Sequence, residues 1–285
     1  MAKAYTEELV FIETADGLPH EGLVIRPADR DPQPVPLLWI HGLTGKFYSR
    51  SIVQIGRELA ARGHTFVTGN NRGHDFGYPY RPAPDAAPRL YGGGWELLSE
   101  AHHDISAWLG FTVGLGFRGV ALLGHSLGAR KVAQYQAERQ DARVLGLVTA
   151  SPPMANFRPR PELLAQAEAL IAAGRGQDLL PWGISPAGAG TSSAATFHDR
   201  AQQPWDLFGL EDLNPPIARV RCPLLACYGT DEAWVGGARE LETIKQHATG
   251  AASVATHLFP NADHSYTGQH VAVAATLADW LATLH

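Results

Sequence analysis

The 285-residue sequence predicts an α/β fold: a mostly parallel, twisted sheet of about eight strands with flanking helices and a helical cap insertion. Three observations carry this. Two leading strand patterns form a hairpin; short apolar runs then alternate with helical spacing; and one long stretch interrupts that alternation. ELVFIET (Glu8 to Thr14) and EGLVIRP (Glu21 to Pro27) flank Asp16-Gly17, a turn pair. LLWIHG (Leu37 to Gly42) is apolar throughout, as a strand buried on both faces should be. From Ile52 to Arg62 the spacing is helical, with Ile52, Ile55 and Leu59 on one side, and TFVTG (Thr65 to Gly69) is the next strand.

Asn70 to Gly94 is rich in Gly, Pro and Asn and reads as loop. A helix is expected from Trp95 to Leu109, with Trp95, Leu98, Ile105 and Leu109 turned inward. Strand VALLG (Val120 to Gly124), helix Leu127 to Arg139, and strands VLGLVTA (Val144 to Ala150), PLLACYG (Pro223 to Gly229) and VATHLFP (Val254 to Pro260) follow. A helix from Gln269 to Leu284 ends the pattern. Between Pro152 and Val220 no buried strand pattern occurs. The stretch holds a predicted helix (Glu162 to Ala173), a small-residue run and recurrent aromatics. So long an interruption within a compact domain reads as a functional insertion. The division is therefore a core domain, 1–151 with 221–285, and a cap, 152–220. The plainer alternative is a peripheral helical pair packing on itself.

Composition narrows the function classes. A formal net charge of −5, with scattered rather than clustered arginines, argues against nucleic acid as a partner. The N-terminal residues show no signal-peptide pattern, and no apolar run approaches the ~20 residues a membrane span needs. Cys222 and Cys227 lie five apart in an apolar run. As strand residues they would sit ~16 Å apart on opposite faces, beyond disulfide reach. A reduced, cytoplasmic protein is the expectation.

The strongest chemical signal is Gly124-His125-Ser126-Leu127-Gly128, a G-x-S-x-G sequence between a buried strand and a helix. Such a turn leaves no room for side chains at its flanks. It lifts the serine hydroxyl above the sheet and aims a helix N-terminus at the reacting carbonyl. Ser126 is the candidate nucleophile. It needs a base, and this arrangement orders its residues Ser, acid, His. His264, in NADHSY between the last strand and the last helix, is the candidate, with His270 the closest rival. The acid belongs to the loop after the penultimate strand, where Asp231 and Glu232 compete. His41-Gly42-Leu43-Thr44-Gly45 follows a strand as an HG-x loop. With the elbow it offers the backbone N–H groups of Leu43 and Leu127 as candidate oxyanion donors. Asn70-Asn71-Arg72-Gly73-His74-Asp75 reads as a brace for these loops, through Arg72 and Asn70. A metal cluster with His102, His103 and Asp104 has no recognised ligand spacing. No cofactor or metal is implied.

HGLTG, RGHD, GHSLG, the Asp231/Glu232 loop and ADH, in that order, resemble the α/β-hydrolase superfamily from about Leu37 to the C-terminus. The resemblance implies the α/β-hydrolase fold and a serine hydrolase. The superfamily's acid loop usually reads G-x-x-D-x-x-V. Counting from Gly229 to Val235 that spacing falls on Glu232, whereas residue type favours Asp231, which stays open as the alternative acid. NNRGHD, YGGGWE, GHSLGARKV, the SPP after the next strand and LLPWG are similar to a branch that includes fungal siderophore esterases. That likeness implies cleavage of an ester or lactone in a bulky polar molecule. The expected partner is thus a small-molecule acyl ester or lactone, with neither nucleic acid nor membrane. Phe47, Met154, Trp182 and Trp234 are candidate pocket walls by position. Thioester, amide or carbon–carbon hydrolysis at the same site is the first rival reading, and a non-catalytic binding module on the same fold the second.

Overall fold

The computed structural model describes residues 4–81, 87–155, 158, 160–180 and 191–284. The sheet runs β1 (Tyr5–Glu13), β2 (Pro19–Pro27), β4 (Phe66–Gly69), β3 (Leu37–Ile40), β7 (Val120–His125), β8 (Val144–Ala150), β9 (Leu224–Gly229) and β10 (Val254–Phe259), in that spatial order. β2 is antiparallel to both β1 and β4, and from β4 to β10 every pair is parallel. This is the eight-stranded, mostly parallel sheet with an antiparallel edge that the patterning predicts.

Alternation within the central strands assigns the two faces. Leu38 and Ile40 of β3, Leu122 of β7, and Leu224, Ala226 and Tyr228 of β9 share one apolar cluster. Their partners there are Trp108 and Leu109 of α2 (Ala101–Gly114), Val132 of α3 (Leu127–Arg139), and Leu241 and Ile244 of α6 (Ala238–His247). Leu37, Trp39, Leu123 and Cys227 point the other way. They meet Ile55 and Leu59 of α1 (Arg50–Ala61) and Leu277 and Trp280 of α7 (His270–Leu281). Each cluster excludes water from one face, at ~25 cal/mol per Å² of apolar surface removed. The central strands are therefore fixed from both sides, and the loops at their C-terminal ends start from rigid stems.

Three local expectations are corrected. The helix expected from Trp95 to Leu109 starts at Ala101 and runs to Gly114, preceded by a single 3₁₀ turn, Leu98–Glu100. Trp95 instead follows the Gly92-Gly93-Gly94 run, where its N–H and that of Glu96 both donate to the Gly92 carbonyl. The stretch Asn70 to Gly94, read as loop, contains the short antiparallel pair β5 (Tyr78–Tyr80) and β6 (Arg89–Tyr91). Cys222 lies ahead of β9 rather than within it; both cysteines are free thiols.

In the interrupting stretch, α4 (Pro161–Ala172) and α5 (Ala194–Gln202) pack on each other through Ala167, Leu180 and Ala194. Ser193 caps α5, its hydroxyl accepting from the Thr196 N–H. The pair is bolted to the loop ahead of α2. Ser193 N–H donates to the Gly94 carbonyl (2.7 Å), Leu98 N–H donates to the Asp199 carboxylate (2.6 Å), and Trp95 Nε1 donates to the Gln177 carbonyl (2.9 Å). The returning chain is held by Arg130 of α3, whose guanidinium donates to the Pro204 and Trp205 carbonyls at 2.8 and 2.9 Å. No helix among the described residues is long and apolar enough to cross a membrane.

Candidate active site

The elbow joins β7 to α3 at Ser126, which adopts φ 57° and ψ −125°. A non-glycine residue there is strained, and such strain persists only where its surroundings over-determine it. Here they do. A Cβ on Gly124 would lie 2.2 Å from the Gly128 carbonyl oxygen, and one on Gly128 would lie 2.3 Å from that of Ile40. Ser126 N–H donates to the Ala150 carbonyl of β8 (2.8 Å), and its own carbonyl accepts from Ala129 N–H (2.9 Å).

His264 arrives on the loop after β10 with Nε2 2.9 Å from Ser126 Oγ. Its Nδ1 lies 2.6 Å from Glu232 Oε2. Glu232 is wholly buried just past β9. Its second oxygen accepts from Gly229 N–H and from the Ser151 hydroxyl (2.7 Å). Ser151, at the end of β8, in turn accepts from the buried Tyr266 hydroxyl (2.8 Å), whose pKa burial pushes well above the ordinary phenol value. The geometry thus brings Glu232 to His264, while Asp231 is exposed and, among the described residues, its carboxylate accepts only from the neighbouring Thr230 hydroxyl.

Two further histidines frame the site as neutral rings. His125 Nε2 donates to the His264 carbonyl (2.7 Å), and its ring centroid lies 5.0 Å from that of His264. His41 Nδ1 donates to the Gly42 carbonyl (2.8 Å), and its Nε2 accepts from Asn71 N–H (3.2 Å). Burial pushes both imidazoles down to about 3, so each keeps one proton, on the nitrogen facing a carbonyl. The HGLTG loop meets the elbow closely: a Cβ on Gly42 would lie 2.8 Å from Ser126 Cβ and 3.1 Å from Leu127 N. Leu43 lies half-buried beside it, and the two loops border a cleft of about 320 Å³ lined also by Arg50, Ile52, His264 and Ser265.

The other predicted residues scatter. Trp234 is 58% exposed, with its ring centroid 5.1 Å from that of His264. Phe47 is buried in the core under α1 and borders a different groove, with Glu7, Leu9 and Arg57. Met154 is buried in the opposite core cluster. Trp182 lies outside the described residues. His270 opens α7, and it is His264 that meets Ser126. In the NNRGHD stretch, Asn70 accepts from Phe47 N–H (3.2 Å). Arg72, fully buried, donates to Asp104, Glu100 and Asp16. His20 Nε2 adds a contact to Asp104 at 3.0 Å. Among the described residues no group of acids, histidines and cysteines is arranged to hold a metal. Sequence reasoning assigned no role to Ser151 and Tyr266, although both sit in motifs it quoted, SPP and NADHSY. Their contribution depends on a contact between residues 115 apart.

Solved structures with the same architecture include Est1E from Butyrivibrio proteoclasticus with ferulic acid bound (18% identity, TM-score 0.68, covering 96% of this chain and 98% of that one). An esterase of Pyrococcus furiosus is similar at 15% identity and TM-score 0.61, over 98% of this chain and 93% of its own. A soluble variant of the monoglyceride lipase of Saccharomyces cerevisiae matches at 17% identity and TM-score 0.66, over 95% and 93%. At these identities the likeness is one of fold. No curated protein matches the sequence. The sequence model of the alpha/beta hydrolase family matches residues 37–276, a span that includes the elbow, the buried glutamate and the histidine, and the chain belongs to that family.

Proposed function

We propose that the protein is a serine hydrolase that cleaves an ester or lactone bond through an acyl-enzyme. The observation that carries this is the unbroken hydrogen-bonded line from Ser126 Oγ through His264 to buried Glu232, beginning at a strained elbow. His264 Nε2 takes the Ser126 proton as Oγ attacks the carbonyl carbon. The developing oxyanion is received by the N–H groups of Leu43 and Leu127; loss of one such donor typically costs ~3 kcal/mol of transition-state stabilisation. The tetrahedral adduct collapses, the leaving alkoxide takes the proton from His264, and the acyl group stays on Ser126. Water then gives its proton to His264 and attacks the acyl carbon, and the acid leaves with Ser126 re-protonated. Glu232 holds His264 in the tautomer with the proton on Nδ1 and offsets its positive charge in both halves. In this reading 152–220 is a cap that shapes the alcohol or acyl side of the cleft, and Trp234 shields His264 from water.

Ester chemistry is favoured by the esterases and the lipase of the same fold. The resemblance to siderophore esterases points to a bulky polar substrate. The test is a panel of matched acyl esters, thioesters and amides with purified protein. The reading expects esters to be cleaved with the highest kcat/KM. Faster cleavage of the amide or thioester would reassign the bond, and absence of any turnover by folded protein would remove the enzyme reading.

A further inference from the structure

A second set of charges lies behind the oxyanion loop, outside the triad. Glu96 and Lys131 form an ion pair with side chains 0% and 2% exposed. Taking two ions out of water costs several kcal/mol each, so such a pair is weak evidence for stability and asks for another reason. Its neighbours supply one. Lys131 Nζ also donates to Asn71 Oδ1 (3.1 Å), which accepts from Gly73 N–H as well (3.0 Å). An ammonium has only donors, so it fixes which end of the Asn71 amide faces it. The other end, Nδ2, then donates to the His41 carbonyl (3.1 Å), while Asn71 N–H donates to His41 Nε2. His41 is the first residue of HGLTG, and Thr44 N–H of the same loop donates to the Gly73 carbonyl (3.1 Å).

The far side of the pair reaches the interrupting segment. Arg200 of α5 places Nη2 3.3 Å from Glu96 Oε1 and 3.3 Å from the Gly93 carbonyl. Gly93 lies against the oxyanion loop: a Cβ there would fall 2.6 Å from Thr44 Cγ2 and 3.0 Å from Leu43 Cδ1. We propose that Glu96 and Lys131 are positioning residues in a buried relay, Arg200–Glu96–Lys131–Asn71, through which α5 sets the backbone of residues 41–45. The relay acts on the reaction proposed above, whose oxyanion the Leu43 N–H receives, and in that respect rests on it. Its consequence is that the placement of α5 is felt in the transition state and not in substrate capture alone.

The test compares the full-length protein with the double variant Glu96→Gln/Lys131→Met, which removes both charges of the pair together and leaves Arg200 the new amide oxygen and the Gly93 carbonyl as acceptors, and with Arg200→Ala. Amide hydrogen exchange is read over residues 41–45. The kcat per titrated Ser126, KM and inhibition by an aryl trifluoromethyl ketone are read on a p-nitrophenyl ester. The double variant is expected to exchange ten-fold faster or more at 41–45, with β3 and β7 unchanged. Its kcat should fall at least ten-fold, KM should stay within three-fold, and ketone affinity should fall by the factor lost in kcat. Arg200→Ala should move each reading the same way by less. The relay is overturned if exchange at 41–45 is unchanged, or if kcat stays within two-fold while exchange rises. A wild-type protein inactive on every ester would instead sink the hydrolase reading, and the exchange measurement would still decide whether the relay orders the loop.

Discussion

Glu232 places one carboxylate oxygen 2.6 Å from His264 Nδ1 while no part of it reaches solvent. Its neighbour Asp231, one residue earlier, faces water. Two adjacent acids so differently placed give a sharp expectation. Glu232→Gln keeps the shape but offers His264 an amide in place of a charge, and kcat should drop by a factor on the order of 10³–10⁴, the scale seen when a triad acid is neutralised. Asp231→Asn should stay within two-fold. Steady-state kinetics on one p-nitrophenyl ester checks both; the reverse pattern would move the acid to Asp231.

The Ser151 hydroxyl is the only side-chain donor given to Glu232 Oε1 among the described residues, and Tyr266 orders it. Ser151→Ala leaves that oxygen with the Gly229 N–H alone. Thermal unfolding should show a loss of about 1.5–3 kcal/mol, the net contribution of a hydrogen bond to a charged group. kcat should fall several-fold with KM unchanged. Tyr266→Phe should do less, since Ser151 can still donate to the carboxylate.

Acid should destabilise the fold through His41 and His125. Burial holds each at about 3 in the native state, against an ordinary value near 6.5. The unfolded chain therefore binds more protons between those values. The stabilisation is complete above pH 6.5 and is lost as pH falls toward 3, at roughly 1.4 kcal/mol per pH unit for each ring. Urea melts at pH 7, 6, 5 and 4 measure this. His125→Gln should reduce the slope by about one proton; an unchanged slope would mean that His125 is charged in the native state.

Gly128→Ala should be among the most damaging single substitutions. The added methyl would meet the Ile40 carbonyl at 2.3 Å, where backbone, not a flexible side chain, must yield. A collapse in soluble yield or a large fall in Tm is expected, against small effects at Gly114, where a Cβ meets nothing within 4 Å.

The strands were legible because burial on both faces leaves nearly pure apolar runs, as in LLWI, VALLG and LLACYG. Ser126 and His264 were legible because a sharp strand-to-helix turn and a post-strand histidine leave local marks in the sequence. The start of α2 was not. The first turn ahead of it is capped by Asp199, about one hundred residues away, whose carboxylate accepts from both Leu98 and Ser99 N–H groups. Helical spacing from Trp95 onward could not reveal a cap supplied from another element. The choice between Asp231 and Glu232 turned on a tight loop in which Asp231 N–H donates to the Ala262 carbonyl while Glu232 folds back on Gly229 N–H. Spacing hinted at that outcome and residue type argued against it. Phe47 and Met154 both turn into the core, and position after a strand does not say which way a side chain turns.

The central claim is that Ser126 is a nucleophile activated by His264. Intact-mass analysis after exposure to a fluorophosphonate tests it most directly, using wild type, Ser126→Ala and His264→Ala. The account predicts one adduct per wild-type chain, mapped to the peptide carrying Ser126. It predicts none on Ser126→Ala and labelling slowed by a factor on the order of 10³ or more on His264→Ala. An unlabelled but folded wild type, or an adduct that persists in Ser126→Ala, would contradict it.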